Sequence, residues 1–137
     1  MPINQISVFL ENKSGRLAEV TKVLAEAEIN IRAMTIADTA DFGILRIVVN
    51  NTDKACQAFE KNGFTVRITK VLGIEIEDKP GGLHKVMEIF KENGVSIEYL
   101  YASIEGNKHP VVIFKVEDIE LGLQIAKRNS LVTVSDL

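Results

Sequence analysis

The sequence predicts an α+β protein made of two successive units, residues 1–69 and 70–137, each with the element order βαββαβ. Three observations carry this reading. A seven-residue stretch, Glu11-Asn12-Lys13-Ser14-Gly15-Arg16-Leu17, returns 66 residues later as Glu77-Asp78-Lys79-Pro80-Gly81-Gly82-Leu83, with four positions identical. The apolar positions around it repeat at the same offset: Val8 with Ile74, Val20 with Val86, Leu24 with Phe90, Ile31 with Ile97. One inserted residue then moves the offset to 67, where Leu45 meets Val112, Ile47 meets Phe114 and Val49 meets Val116. Within each copy the hydrophobic period switches between 2 and 3.6 in the same order.

The elements follow one by one. In "INQISVFL", Ile6, Val8 and Leu10 alternate onto one face, which predicts a strand. "SGRLAEVTKVLAEA" carries Leu17, Val20, Val23, Leu24 and Ala27 at helical spacing, with Ser14 as the expected N-cap. "INIRAMTIAD" is a β-branched strand whose alternation slips near Arg32 and Met34, which predicts a bulge. "FGILRIVV" is the next strand, reached through the turn "DTADFG". "TDKACQAFEKNG" is a helix with Thr52 as its expected cap and Gly63 as its stop, and "FTVRITKV" closes the copy as a strand. The second copy repeats the series as "VLGIEIE", "PGGLHKVMEIFKENG", "VSIEYLYASI", "PVVIFKV", "DIELGLQIAKRN" and a short "LVTV". No linker separates the copies. The order βαββαβ is the ferredoxin-like unit, an antiparallel sheet with two helices on one face. Units this small have thin cores, so pairing of units is expected.

Composition excludes several classes. The chain has 137 residues, is 46% hydrophobic and 26% charged, and carries a net charge of −3. A phosphate-backbone binder needs a basic footprint, so neither nucleic acid nor an anionic membrane surface is an expected partner. The apolar runs are too short to span a bilayer. The first residues lack a basic and apolar leader pattern, and the single Cys56 cannot form an internal disulfide, so a cytoplasmic location is expected.

The repeated loop lies between a strand and a helix. It presents the unpaired N–H groups and positive dipole end of that helix, and Gly15 and Gly81 let a ligand approach the backbone. N–H groups near Gly15, Arg16 and Leu17 suit a small carboxylate. Asn12 and Asn30 add amides, suited to a zwitterion. Glycines and Pro80 also serve plain turns and helix starts, but capping does not account for a second amide at Asn30.

The two loops, with "EINI" and "GVSI" opening the second strand of each copy, resemble ACT domains over nearly the whole chain. That resemblance implies a regulatory, non-catalytic module that binds a free L-amino acid at the interface between two ACT units. In the serine-binding ACT domain of phosphoglycerate dehydrogenase, the ligand meets an Asn of this loop and an Asn opening the second strand of the partnering unit. The matching positions here are Asn12 and Asn30 in the first copy, and Asp78 and Ser96 in the second. The implied ligand-binding residues are Asn12, Ser14, Gly15, Arg16, Leu17, Asn30 and Ile31, with Asp78, Gly81, Gly82, Leu83, Ser96 and Ile97 as the second set. The first copy departs from the family at Ser14, where proline is usual; the second departs at both amide positions. Two pairings are open, copy with copy inside one chain or first copy with first copy of a second chain.

Other chemistries are less well supplied. His84 and His109 have no ligand-spaced neighbours, so no metal or other cofactor is expected. Cys56, between Ala55 and Ala58, reads as a small core residue. An RNA-binding sheet would need aromatics where the first copy has Ala33 and Thr35. A metallochaperone would need CxxC, and the loop lacks the phosphate-loop spacing. No catalytic residue is expected; an acylphosphatase-type enzyme using Arg16 ranks third. The alternative to a sensor is a dimerising subunit without ligand, such as a regulatory chain of a biosynthetic enzyme. A homodimer is expected in either case, because Ser7, Phe9, Ile44, Val48, Val111 and Ile113 fall on the helix-free sheet face and are too apolar to be left wet.

Overall fold

A computed structural model describes residues 1–11, 13–38, 42–104 and 108–137, Asp38 through its backbone alone. The elements are β1 (Ile3–Glu11), α1 (Arg16–Glu26), β2 (Ile31–Asp38), β3 (Phe42–Val49), α2 (Thr52–Lys61), β4 (Thr65–Glu75), α3 (Gly82–Glu92), β5 (Ile97–Ala102), β6 (Val111–Val116) and α4 (Ile119–Arg128). They form two compact units, Asn4–Thr69 and Lys70–Leu137, the latter including Met1–Ile3.

In the Asn4–Thr69 unit the strands lie in the order β2-β3-β1-β4. Both pairs made by β3 are antiparallel, with Leu10 opposite Gly43 and Asp38 opposite Gly43. The predicted bulge is present: the β2 register shifts between Ile31 and Ala33. Ile6, Val8 and Leu10 of β1 meet Val20, Val23 and Leu24 of α1, and Ala55 and Phe59 of α2. Phe59 and Phe64 close this core edge to face, with centroids 5.9 Å apart. Cys56 packs at its margin, and burial, then Glu60 and Asp53, push its thiol above the usual value.

In the other unit the order is β4-β6-β5, again antiparallel. The predicted last strand and first strand of adjacent copies are one continuous β4 of 11 residues. The closing strand "LVTV" is reduced to a single bridge, Thr133 opposite Ile74, flanked by bonds from the Glu75 N–H to the Val132 carbonyl and from the Val134 N–H to the Gly73 carbonyl. Phe90 of α3 and Phe114 of β6 meet edge to face at 5.1 Å. Gly73 admits no side chain: a Cβ there would lie 2.3 Å from Ile3 Cδ1 and 2.9 Å from the Val134 carbonyl oxygen. Ile3 therefore packs flat on this strand, which is why the first residues group with the last.

The predicted helix caps are corrected. The residue before α1 is Gly15, in the left-handed region at φ 85°, and no side chain caps the helix, so Ser14 is not the cap. Asn51, not Thr52, caps α2, its side-chain oxygen accepting from the Lys54 N–H at 3.1 Å. Asp118 does the same for α4 through the Leu121 N–H. The helix-free face also differs from expectation. Ser7, Val48, Val111 and Ile113 are already buried in the single chain; Ile44 is half-buried and Phe9 is 38% exposed. Most of that face is therefore not available to a second chain.

Candidate functional site

The two loops have one backbone. Lys13 N–H turns back to the Glu11 carbonyl at 2.8 Å, and Lys79 N–H to the Glu77 carbonyl at 3.0 Å. The next donor closes the turn: Arg16 N–H onto the Lys13 carbonyl at 3.3 Å, Gly82 N–H onto the Lys79 carbonyl at 3.0 Å. Gly15 and Gly81 share φ near 85° and ψ of −6°. Neither would crowd a Cβ, so the left-handed conformation alone asks for glycine there. The Arg16 N–H is thus spent inside the turn. The donors aimed outward are those of the first helical turn, Leu17 and Ala18 in α1, which have no partner within the helix.

The side chains then differentiate the loops. Lys13 Nζ lies 2.8 Å from Glu11 Oε2, and Lys79 Nζ lies 2.7 Å from Glu77 Oε2. Lys13, by hydrogen bond and charge, and then Arg16 hold the Glu11 carboxyl below its ordinary value. Lys79 and Lys85 do the same to Glu77, and Glu77 raises Lys79. Arg16 bonds Glu19 at 2.7 Å and lies over the Phe64 ring, 4.9 Å from its centroid. Gly82 stands where Arg16 does, and a Cβ on it would sit 2.0 Å from the Glu77 carbonyl oxygen. The second loop is folded down onto its own backbone; the first is held open enough for a side chain.

Beside the first loop is a cleft of about 180 Å³ whose walls include Leu10, Glu11, Lys13, Leu17, Ile36 and Gly43. In the other unit a cleft of about 440 Å³ is lined by Gly94, Val95, Ser96, Glu98, Glu117, Asp118 and Leu121.

Of the sequence-predicted residues, Asn12 lies outside the described residues. Gly15, Arg16 and Leu17 come together at the end of β1 where β2 finishes and β3 starts. Ser14 is exposed beside them. Asn30 is at the far end of β2, about 23 Å away at the usual rise per strand residue. It is pinned there by Asn50, which accepts its N–H at 3.1 Å and donates to its carbonyl at 3.2 Å. One unit therefore does not bring Asn30 to its own loop. Ile31 and Ile97 pack against the two cores. Asp78 and Leu83 are exposed, Gly82 is buried, and Ser96 lines the larger cleft. His84 is exposed on α3, 3.8 Å from Glu88.

Sequence reasoning missed Leu10, Ile36 and Gly43 at the first cleft, and Glu117 and Asp118 at the second. A signal existed for two of them. Gly43 falls at the repeat position of Pro110, and Glu117 at that of Asn50, so both are places where the copies disagree.

A family model described as an ACT domain pair matches residues 1–137. Among solved structures, protein BT0572 from Bacteroides thetaiotaomicron is similar at 43% identity and a TM-score of 0.90, over 99% of this chain and 95% of that one. The regulatory subunit of aspartate kinase from Thermus thermophilus, ligand free, shares the fold at 18% identity and a TM-score of 0.64, over 91% of each chain. Its counterpart from Thermus flavus does so at 17% and 0.59, over 91% of this chain and 90% of that one. No curated protein matches the chain.

Proposed function

This chain belongs to the ACT domain pair family, and from that premise we propose that it is a non-catalytic sensor which binds a free amino acid at an interface between ACT units and regulates an enzyme or pathway of amino-acid metabolism. ACT domains are regulatory modules. The observation that carries the reading is the open left-handed turn at Gly15, with the α1 N-terminus behind it and a cleft beside it. Leu17 and Ala18 N–H groups receive the carboxylate. The length of β2, which separates this loop from Asn30, supports a site completed by another ACT unit, as the resemblance implies. Response then follows as a population shift, since a ligand held by two units favours the arrangement that presents both halves. The same reading puts the protein in the cytoplasm as a homodimer. Among the described residues no helix is long and apolar enough to cross a membrane.

The test is a thermal-shift screen against the twenty amino acids, followed by calorimetry. At a hundredfold excess over Kd, a ligand stabilises the native state by about 2.7 kcal/mol. A melting temperature unmoved by every amino acid removes the sensor reading and leaves the dimerising subunit. Exposed Phe42 and Ile36 on the first unit favour that second reading, because they would be covered by a partner chain.

A further inference from the structure

We propose that the amino acid recognised at the first loop has a branched aliphatic side chain, which lodges between Leu17 and Ile36 over Gly43; this rests on the amino-acid reading above. Three observations lead to it. The cleft floor is glycine without a backbone reason: Gly43 sits in ordinary strand conformation, and a Cβ on it would meet nothing nearer than the Ala37 carbonyl at 3.7 Å and Ile36 Cδ1 at 3.8 Å. The fold tolerates a side chain there, and its absence leaves room. In the second copy the same position is Pro110, whose carbonyl accepts the Ile76 N–H at 2.9 Å, so the position carries a ring in one copy and no side chain in the other.

Three lining residues, Leu10, Leu17 and Ile36, form an apolar part of the cleft, beside the charged Glu11, Lys13 and Arg16. Leu17 is 41% and Ile36 49% exposed, while Leu10 beneath them is buried. An apolar space of about 150 Å³ is enough to take a benzene ring, so about 180 Å³ accommodates an isobutyl or sec-butyl group. The rim charges are paired, Arg16 through one terminal nitrogen while its Nε is left without a hydrogen bond. Lys13 pairs with Glu11, and Arg16 with Glu19, two cations against two anions. A charged ligand side chain would break one of these pairs to gain another, whereas an aliphatic one leaves both intact.

The test is isothermal titration of the full chain with L-leucine, L-isoleucine, L-valine, L-alanine, L-serine, L-aspartate and L-lysine, repeated on Gly43→Val and Ile36→Ser. Leucine, isoleucine or valine should bind at least tenfold more tightly than alanine, serine, aspartate and lysine. Gly43→Val should abolish that binding with an unchanged melting temperature, since valine suits a strand and its Cβ has room. Ile36→Ser, at an exposed position, should weaken it severalfold. If serine, aspartate or lysine binds as tightly as leucine, or folded Gly43→Val binds leucine normally, the aliphatic assignment is overturned and the amino-acid reading stands. If none of the seven binds, the assignment is overturned, and the remaining amino acids decide the broader reading.

Discussion

The loop after β1 and the loop after β4 share a backbone and differ in what they leave free. Both turn through a left-handed glycine, and both tie a lysine to a glutamate two residues earlier. Yet Gly82 presses on the Glu77 carbonyl, whereas Arg16 projects a guanidinium onto Phe64 and Glu19. The difference teaches that duplication preserves a turn more readily than the space beside it. Main-chain geometry is fixed by one left-handed residue, while the opening beside it depends on single side chains. The second loop is closed onto its own backbone, and the first leaves a cleft beside it.

The sharpest way to break this comparison is to put a side chain on Gly82. Gly82→Ala should cost about 2–3 kcal/mol, at the upper end for overpacking, because the obstacle is backbone. Arg16→Ala should cost about 1 kcal/mol, from the lost cation–π contact and an exposed ion pair. Urea midpoints of the two variants measure this, and equal costs would erase the distinction between a closed and an open loop. Next in size are the glycines the loops share. Gly15→Ala and Gly81→Ala should each cost about 1–2 kcal/mol for a left-handed alanine, and the two values should agree; a large disparity would mean the turns are not equivalent. Smaller still are the caps. Asn51→Ala and Asp118→Ala should each lose about 1 kcal/mol, read as parallel drops in thermal midpoint.

The smallest effect is on pH dependence. Glu11 and Glu77 titrate below the ordinary carboxylate value of 4.5 in the folded chain. The unfolded state therefore binds more protons, and their contribution is full above 4.5 and lost as pH falls through the lowered folded values. Lys79 is raised above 10.5, so its contribution is full below that and lost above it. Urea midpoints between pH 3 and pH 6 (a range spanning the ordinary carboxylate value) should fall less on acidification in Glu77→Gln than in the parent. The difference should be slight, since both carboxylates are solvated and screened.

The fold was legible because periodicity survives in any single copy and is checked by the other. Caps were less so. Asn51 and Thr52 are both good capping types in adjacent positions, and what decides is where the chain leaves extended geometry: Asn51 keeps φ −144° and ψ 92°. Ser14 lost its role because the turn closes through Gly15. Alternation placed Ser7, Val48, Val111 and Ile113 on the correct face, but alternation cannot tell whether a face is covered. The first loop was visible as part of a repeated motif. The cleft beside it was not, because Leu10, Ile36 and Gly43 are joined only by strand register, and Arg16 reaches Phe64 across 48 residues.

Ile3 resting on Gly73 beneath the Val134 carbonyl has a consequence for how the protein is made. Ile3 and Val134 stand 131 residues apart in the sequence. The hydrophobic seat at Gly73 is completed only when both are present, so the closing of the second unit waits on a contact of long sequence separation. Cutting the gene at the boundary between its repeats would strand that residue on the wrong fragment. The sequence repeats are therefore not interchangeable parts, and a change at Ile3 would be felt in the unit that holds Gly73 and Val134.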